Sequence, residues 1–466
     1  MNNMIKRLML LAMCLTVPAG IAACRAQEEG GPEQPPFPGG GEGGRTYVIR
    51  VACNSETSRA ENVIRAADRL TEQLAAEGSG DVVKAEYIIV PDDQYEQQIA
   101  VWNKAGDLPE LLVTPGNRMA KFADAGLLIP ADDVTGGEVY RSKVPAYILE
   151  MGMVGDTMYG VTQDIEARPV WVFKPALERL GWSAEQIAAF PEAVAAGAFT
   201  QDDLQALAKQ SVEQGITEWG IIHRPTNGAE FRMMHMIQGA EPLVDGKVVI
   251  DRSAMIDFLT YLRENVEMGL CPAQLTTYSW DIIEGDLQPN GKTLCWYGGV
   301  WNKYDMMNAA NVTPEYIDEN FILILPPVKN RGERPFTFSA PQFYNLTQQA
   351  KSDERLYQYI CRTLEIVLDP DIQMNTTVAT SHLAITQETA DYPEYREDKF
   401  LSNATYLLEY TRALPGDVVL SHFYGNDFFA AIQAAEMTAD PVDKIADTFI
   451  QNVSDQIGAD NYILQD

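Results

Sequence analysis

Beyond residue 45 the apolar positions switch repeatedly between short β-branched runs and helical spacing. Residues 47–53 (YVIRVAC) read as a strand. Val63, Ile64, Ala67, Leu70 and Leu74 then fall on one helical face, behind a capping box of Ser58 and Glu61. Residues 85–90 (AEYIIV) form a second strand, and residues 110–114 (ELLVT) a third. Between them Tyr95, Ile99 and Trp102 share a helical face that Asp93 and Glu96 open. Strand, helix, strand, helix, strand predicts an α/β fold whose mostly parallel sheets are flanked by crossover helices.

The second half repeats the alternation. Residues 170–173, 219–223, 293–297 and 321–325 read as strands, with helical faces such as Met255, Phe258, Leu259 and Leu262 between them. The last helix is predicted from Asp440 as cap, Pro441 in the first turn, and Val442, Ile445, Phe449, Ile450 and Val453 along one side. In sheets of this kind ligands bind beyond the carboxyl ends of the strands. Two polar loops qualify, Asn54-Ser55-Glu56-Thr57 and Pro115-Gly116-Asn117-Arg118; caps and turns are the competing reading for each residue.

The first 45 residues break this pattern. Lys6 and Arg7 precede a short apolar run at residues 8–17, and small residues lead to Ala22-Ala23-Cys24. That is the layout of an export signal over residues 1–23. Its ending resembles the bacterial lipobox, which implies acylation of Cys24 and a membrane-tethered chain. Residues 24–45 are rich in Gly, Pro and Glu and have no apolar periodicity, so they read as a disordered tether. Gly39, Gly41 and Gly44 spell GxGxxG but precede the first strand instead of following one, which empties the match.

Charge narrows the partners. The formal net charge is −31, and removal of Lys6 and Arg7 with the signal leaves 33 basic against 66 acidic residues, a net of −33. Such a chain repels nucleic acid and anionic lipid. About 420 residues remain past the tether, enough for two lobes of ordinary size. Six cysteines become four once Cys14 is cleaved and Cys24 is lipidated. Cys53, Cys271, Cys295 and Cys361 stand apart in apolar settings and read as buried thiols; a Cys271–Cys295 bridge stays open.

Catalytic and metal motifs are missing from the sequence: no HExxH, GxSxG, phosphate-binding loop or zinc spacing occurs. His223, His235, His382 and His422 are scattered and read as surface or core residues. No cofactor is expected. Aromatic residues beside polar ones are abundant instead. Residues 276–307 hold three Trp and three Tyr, and residues 420–429 add four aromatics. Rings of this kind stack on sugar faces or on planar and cationic groups, while nearby amides and carboxylates take hydroxyls. Core packing competes for any single ring, but Trp301 follows Gly298-Gly299 in a loop leaving a strand.

Four stretches carry a resemblance. They are residues 110–133 (ELLVTPGNRMAKFADAGLLIPADD), 158–182 (MYGVTQDIEARPVWVFKPALERLGW), 290–301 (NGKTLCWYGGVW) and 321–364, which opens FILILPPVKN. In order, and after a lipobox, they resemble the bacterial extracellular solute-binding protein family 1, the substrate-capturing lipoproteins of ABC importers related to the maltose-binding type. Phe173 stands where that family usually has asparagine, and Cys295 near a usual methionine.

The resemblance implies a two-lobed type II periplasmic-binding fold with hinge crossings near 160–164, 337–340 and 382–389. The lobes would be residues 46–162 with 338–386, and 163–337 with 387–466. It further implies ligand contacts from Asn54, Glu56, Asn117, Arg118, Glu166, Trp301, and Phe428 or Phe429. The expected protein is a non-enzymatic monomer on the outer face of the cytoplasmic membrane, or periplasmic, that hands a carbohydrate to a permease. A polyamine-type cation is the alternative solute. A surface carbohydrate-acting enzyme and a sensor or adhesin are the rival classes.

Overall fold

The computed structural model describes residues 44–54, 57–91, 94–339, 341–413 and 418–465. Cys24, the signal and most of the tether lie outside them, as does Glu56. Strand β1 (Thr46–Asn54) pairs in parallel with β2 (Val82–Val90) and β3 (Leu111–Pro115), and helix α1 (Ser58–Ala76) makes the first crossover. Val63, Ala66, Ala67, Leu70 and Leu74 are its buried stripe. The capping box is displaced: the helix is capped at Thr57, Ser58 lies inside it and is buried, and the Thr57 hydroxyl donates to Glu61 (3.0 Å).

Helix α2 (Tyr95–Ala105) returns the chain to β3. The expected turn at residues 115–118 does not form. Pro115 ends the strand in an extended conformation (ψ 160°), and α3 (Gly116–Asp124) begins at once, so Asn117 and Arg118 sit in a first helical turn.

Strand β4 (Val161–Asp164) is the far edge of this first sheet. Five residues later the chain is in a second sheet, built from β5 (Val170–Phe173), β6 (Trp219–Ile222), β7 (Thr293–Tyr297) and β8 (Phe321–Ile324) in the order β8-β5-β7-β6. Helices α4 (Ala229–Ile237), α5 (Arg252–Glu267) and α6 (Asn302–Ala310) belong to this half. The chain then passes through β9 (Thr337–Ser339) into β10 (Gln342–Leu346), which enters the first sheet between β3 and β4 and runs antiparallel to both. Helices α7 (Glu354–Ile366) and α8 (Pro370–Thr380) pack on α1. A last crossing pairs Leu383 with Ile165 and leads to β11 (Thr411–Ala413), which runs beside β9.

Both sheets are therefore mixed. The crossover units stay parallel, and antiparallel pairs enter where the chain arrives from, or departs for, the other half. Three crossings join two α/β lobes, as the resemblance implied, but the first is residues 165–169 and not 160–164, because β4 (Val161–Asp164) still pairs in the first sheet. The C-terminal helices α9 (Val418–Phe423), α10 (Asn426–Met437) and α11 (Val442–Ile457) complete the second lobe, α10 and α11 packing on α5. The N-cap of α11 is Pro441, not Asp440, whose carboxylate instead accepts from Lys444 Nζ (2.9 Å). Cys53, Cys271, Cys295 and Cys361 are all free thiols, so no Cys271–Cys295 bridge forms. Among the described residues no helix is long and apolar enough to cross a membrane.

Candidate functional site

The first crossing, residues 165–169, is a polar strand-to-strand link that both lobes grip. Leu383 N donates to Ile165 O (2.7 Å), and Val300 N to Ala167 O (3.1 Å). The Thr337 hydroxyl joins in twice, accepting from Arg168 N (2.8 Å) and donating to Arg168 O (2.9 Å). These bonds draw the loop after β7 against the crossing and set Trp301 beside it. Gly299 permits the approach, because a Cβ there would stand 2.0 Å from the Trp301 ring. The Trp171 indole N–H holds the Gly299 carbonyl (3.0 Å) and Asn302 Oδ1 accepts from Gly299 N (2.6 Å), so the loop is rigid.

Trp301 has a counterpart in Trp280, on the helical turn Trp280–Ile282. Each indole is partly buried and is backed by a guanidinium: Arg168 Cζ lies 4.9 Å from the Trp301 ring centroid and Arg224 Cζ 5.4 Å from that of Trp280. Those distances are within cation–π range. Both arginines converge on one carboxylate, Glu230, which is only 2% exposed: Arg224 Nη1 is 2.5 Å from it and Arg168 Nε 3.5 Å. Gly228 leaves the space that the Arg224 guanidinium fills. Burial penalises the Glu230 carboxylate, but Arg224 and Arg168 outweigh that and hold its pKa below the usual range.

Arg224, Glu230, Trp280, Glu284, Trp301 and Asp305 line a cavity of about 360 Å³. Glu284 and Asp305 give it a second character. Burial, then the neighbouring Asp305 charge, pushes the Glu284 carboxyl up to about 8; burial pushes Asp305 up to about 6. Their shared partner is the Asn302 amide, whose Nδ2 donates to Glu284 (3.2 Å) and Asp305 (3.1 Å). The cavity thus combines two ring platforms, one ionised carboxylate locked between cations, and two carboxyls able to donate or accept hydrogen bonds.

The crossings stand behind Trp301. Glu166 pairs with Arg168, and His382, on the third crossing, faces Glu166 through Nε2 (3.8 Å) and Trp301 at 6.2 Å between ring centroids. Its Nδ1 lies 3.0 Å from Asp164, which Arg59 at the start of α1 also contacts (2.8 Å). Burial alone would raise the Asp164 carboxyl; Arg59 and His382 instead hold it at about 2. A continuous polar chain therefore runs from α1 in one lobe, through the crossings, to Trp301 in the other.

Of the residues named from sequence, Trp301 alone lines the cavity, and Glu166 stands behind it, linked through Arg168 and His382. Asn54 ends β1, and Arg118 sits on α3, its guanidinium over Tyr95 (5.5 Å) and near Glu96 (3.5 Å). Neither lines the cavity; α3 instead meets α9 of the other lobe. Asn117 shares the first turn of α3. Phe428 is a correction. It is 0% exposed, stacked on Phe258 (5.5 Å, 4° between planes) and edge-on to Phe449, so it is core and has no face for a ligand. Phe429 packs toward Phe231 (6.1 Å) behind α4 and does not line the cavity either. Sequence reasoning missed Arg168, Arg224, Glu230, Trp280 and His382. One signal was present: Trp280/Glu284 and Trp301/Asp305 repeat the same i, i+4 spacing, which puts a ring and an acid on one helical face.

The model of the bacterial extracellular solute-binding protein family matches residues 60–354. The chain belongs to that family. Among solved structures it is similar to the sugar-binding protein MalE of Xanthomonas citri (TM-score 0.71, 14% identity, 88% of this chain and 97% of that one). It is also similar to the GacH receptor of Streptomyces glaucescens, solved unliganded and with acarbose (TM-score 0.69, 13% identity, 90% and 99%). A third is a cyclo/maltodextrin-binding protein complexed with maltotetraose (TM-score 0.66, 15% identity, 88% and 97%). At these identities the likeness is one of fold. No curated protein matches the chain.

Proposed function

We propose that this solute-binding protein captures a carbohydrate, an oligosaccharide by preference, between its lobes and releases it chemically unaltered. The observation that carries the reading is the pair of indoles, Trp280 and Trp301, each braced by an arginine tied to Glu230, in a cavity lined by the second lobe that the first lobe would cover on closure. Braced rings are pre-organised platforms for the C–H faces of sugar rings. Glu284, Asp305 and Asn302 offer acceptors and donors at the platforms' edge. The structural neighbours that hold maltotetraose and acarbose support this choice of solute.

The lobes in this reading are residues 46–164 with 341–386, and 165–339 with 387–466, the expected boundaries at 162 and 337 being moved because β4 pairs in the first sheet and β9 with β11. They close by rotation about the three crossings, because only the closed state gives the solute contacts from both. Asn54, Glu56, Asn117 and Arg118 belong to the first lobe and would meet the solute on closure. Cys24 would carry the lipid anchor in the cell envelope, and a permease of the ABC type would receive the solute from the monomeric, non-catalytic receptor. A thermal-shift screen of oligosaccharides, polyamines and peptides tests the reading: saturable stabilisation by a sugar supports it, and loss of the sugar to hydrolysis removes it.

A second reading has its own observation. Glu284 and Asp305 share one amide and, among the described residues, no cation is paired with either, so an amine on the solute would find two carboxyls able to ionise toward it. Stabilisation by polyamines and not by sugars in the same screen would favour it.

A further inference from the structure

A second polar cluster lies behind the cavity wall. His223, which ends the run of β6, Cys271, just past α5, and Glu436, near the end of α10, come from three distant parts of the chain. All three are buried, and their Nε2, Sγ and carboxylate oxygen lie within 4.8 Å of one another. His223 Nε2 stands 2.6 Å from Glu436 Oε1 and 3.9 Å from Cys271 Sγ. We propose that these three side chains form a binding site for a single zinc-class divalent cation, separate from the solute cavity.

Four observations carry this. The first is donor chemistry: a thiol, an imidazole and a carboxylate are the set that zinc takes in tetrahedral sites. The second is distance. Tetrahedral bonds of about 2.0–2.3 Å place imidazole, carboxylate and thiolate atoms about 3.3–3.6 Å apart. Cys271 Sγ is 3.9 Å from His223 Nε2 and within 4.8 Å of the carboxylate, so the thiol must move in while the 2.6 Å imidazole–carboxylate pair opens once its proton leaves. The third is orientation. His223 Nδ1 lies 2.8 Å from the Arg224 carbonyl, which fixes Nδ1–H as its donor and turns Nε2 toward the other two groups, as metal-binding histidines are commonly held. The fourth is an orphan. Glu436 is 4% exposed, yet its Oε2 has no hydrogen-bond partner among the described residues. A buried lone carboxylate oxygen is costly, and a cation would satisfy it.

Charge closes the argument. A thiolate, a carboxylate and a neutral imidazole around a divalent ion sum to zero, so the occupied site carries no net charge into the interior. Binding expels two protons to solvent, one from the Cys271 thiol and the one shared across the 2.6 Å His223–Glu436 contact. Water completes the fourth position. Such a site pins α10 and the end of α5 to the strand that leads into Arg224, behind the Trp280 platform.

The experiment is a cobalt and zinc titration of the untagged full chain, stripped with chelator. The expected result is one ion per chain, a thiolate-to-cobalt charge-transfer band that zinc abolishes, and a Tm rise of about 3 °C at a hundredfold excess over Kd. Cys271→Ser removes the band and Glu436→Gln weakens binding at least tenfold, while Cys361→Ser changes neither. If the variants fail to fold, the wild-type band decides alone. A folded wild-type chain with no charge-transfer band, or a band that survives Cys271→Ser, overturns the proposal.

Discussion

Truncating Trp301 tests the platform most sharply. One face of its ring is already covered by Arg168 at 4.9 Å, so a sugar can cover about half of the side chain. A Trp side chain buries about 150–250 Å², which makes that half about 100 Å². At about 25 cal/mol per Å² the contact is worth about 2.5 kcal/mol. Since 1.4 kcal/mol is a factor of ten, Trp301→Ala should raise Kd about 50–100-fold. The assay is isothermal titration at 25 °C with the sugar that gives the largest thermal shift, wild type against variant. The backbone of the loop is held by Asn302 and Trp171, neither of which is changed, so the variant should fold with a Tm within a few degrees of wild type. A folded variant whose Kd moves less than threefold would refute the stacking argument, whatever the ligand turns out to be.

Three further expectations follow from the same geometry. Phe428→Ala opens a cavity in the α5–α10–α11 core and should cost about 3–5 kcal/mol, read in denaturant melts, while the chains that remain folded keep wild-type affinity. Glu284 keeps its proton in the folded chain up to about pH 8, whereas the unfolded chain loses it near pH 4.5, so stability falls as pH rises through that window. Glu284→Gln has no such proton, and its Tm should decline less between pH 5 and pH 8 than that of wild type; parallel declines would show that burial does not disfavour this carboxylate. Glu230→Gln strips two guanidinium groups of their shared counter-charge and should destabilise by about 3 kcal/mol, with Glu230→Gln/Arg168→Met recovering part of the loss in a double-mutant melt.

Periodicity was enough to read the α/β class, because the stripes of α1, α5 and α11 and the β-branched runs are local signals, while the two lobes came from chain length and the family resemblance. Element ends were less legible. Thr57, Pro115 and Pro441 took the cap positions assigned to Ser58, a loop and Asp440, since backbone geometry and not side-chain type decided each. The site was half legible. Family position and the Gly298-Gly299 loop pointed to Trp301, which lines the cavity, and to Glu166 only behind it; the Trp/acid spacing around Trp280 was there to be read. Glu230 and Arg224 were hidden, because their role exists only where α4 faces the loop after β7. Phe428 misled for the converse reason: an aromatic-rich string cannot show which ring points inward, and this one fills the core. His382 and the His223–Cys271–Glu436 cluster are wholly tertiary, assembled from residues far apart in sequence.

The central claim is that two lobes shut on a carbohydrate about the crossings at residues 165–169, 337–341 and 381–386. Small-angle X-ray scattering of the purified protein, without and with a saturating oligosaccharide, measures this directly. The account predicts a smaller radius of gyration on binding, restored when the intact sugar is dialysed away. An unchanged radius at full saturation would contradict it.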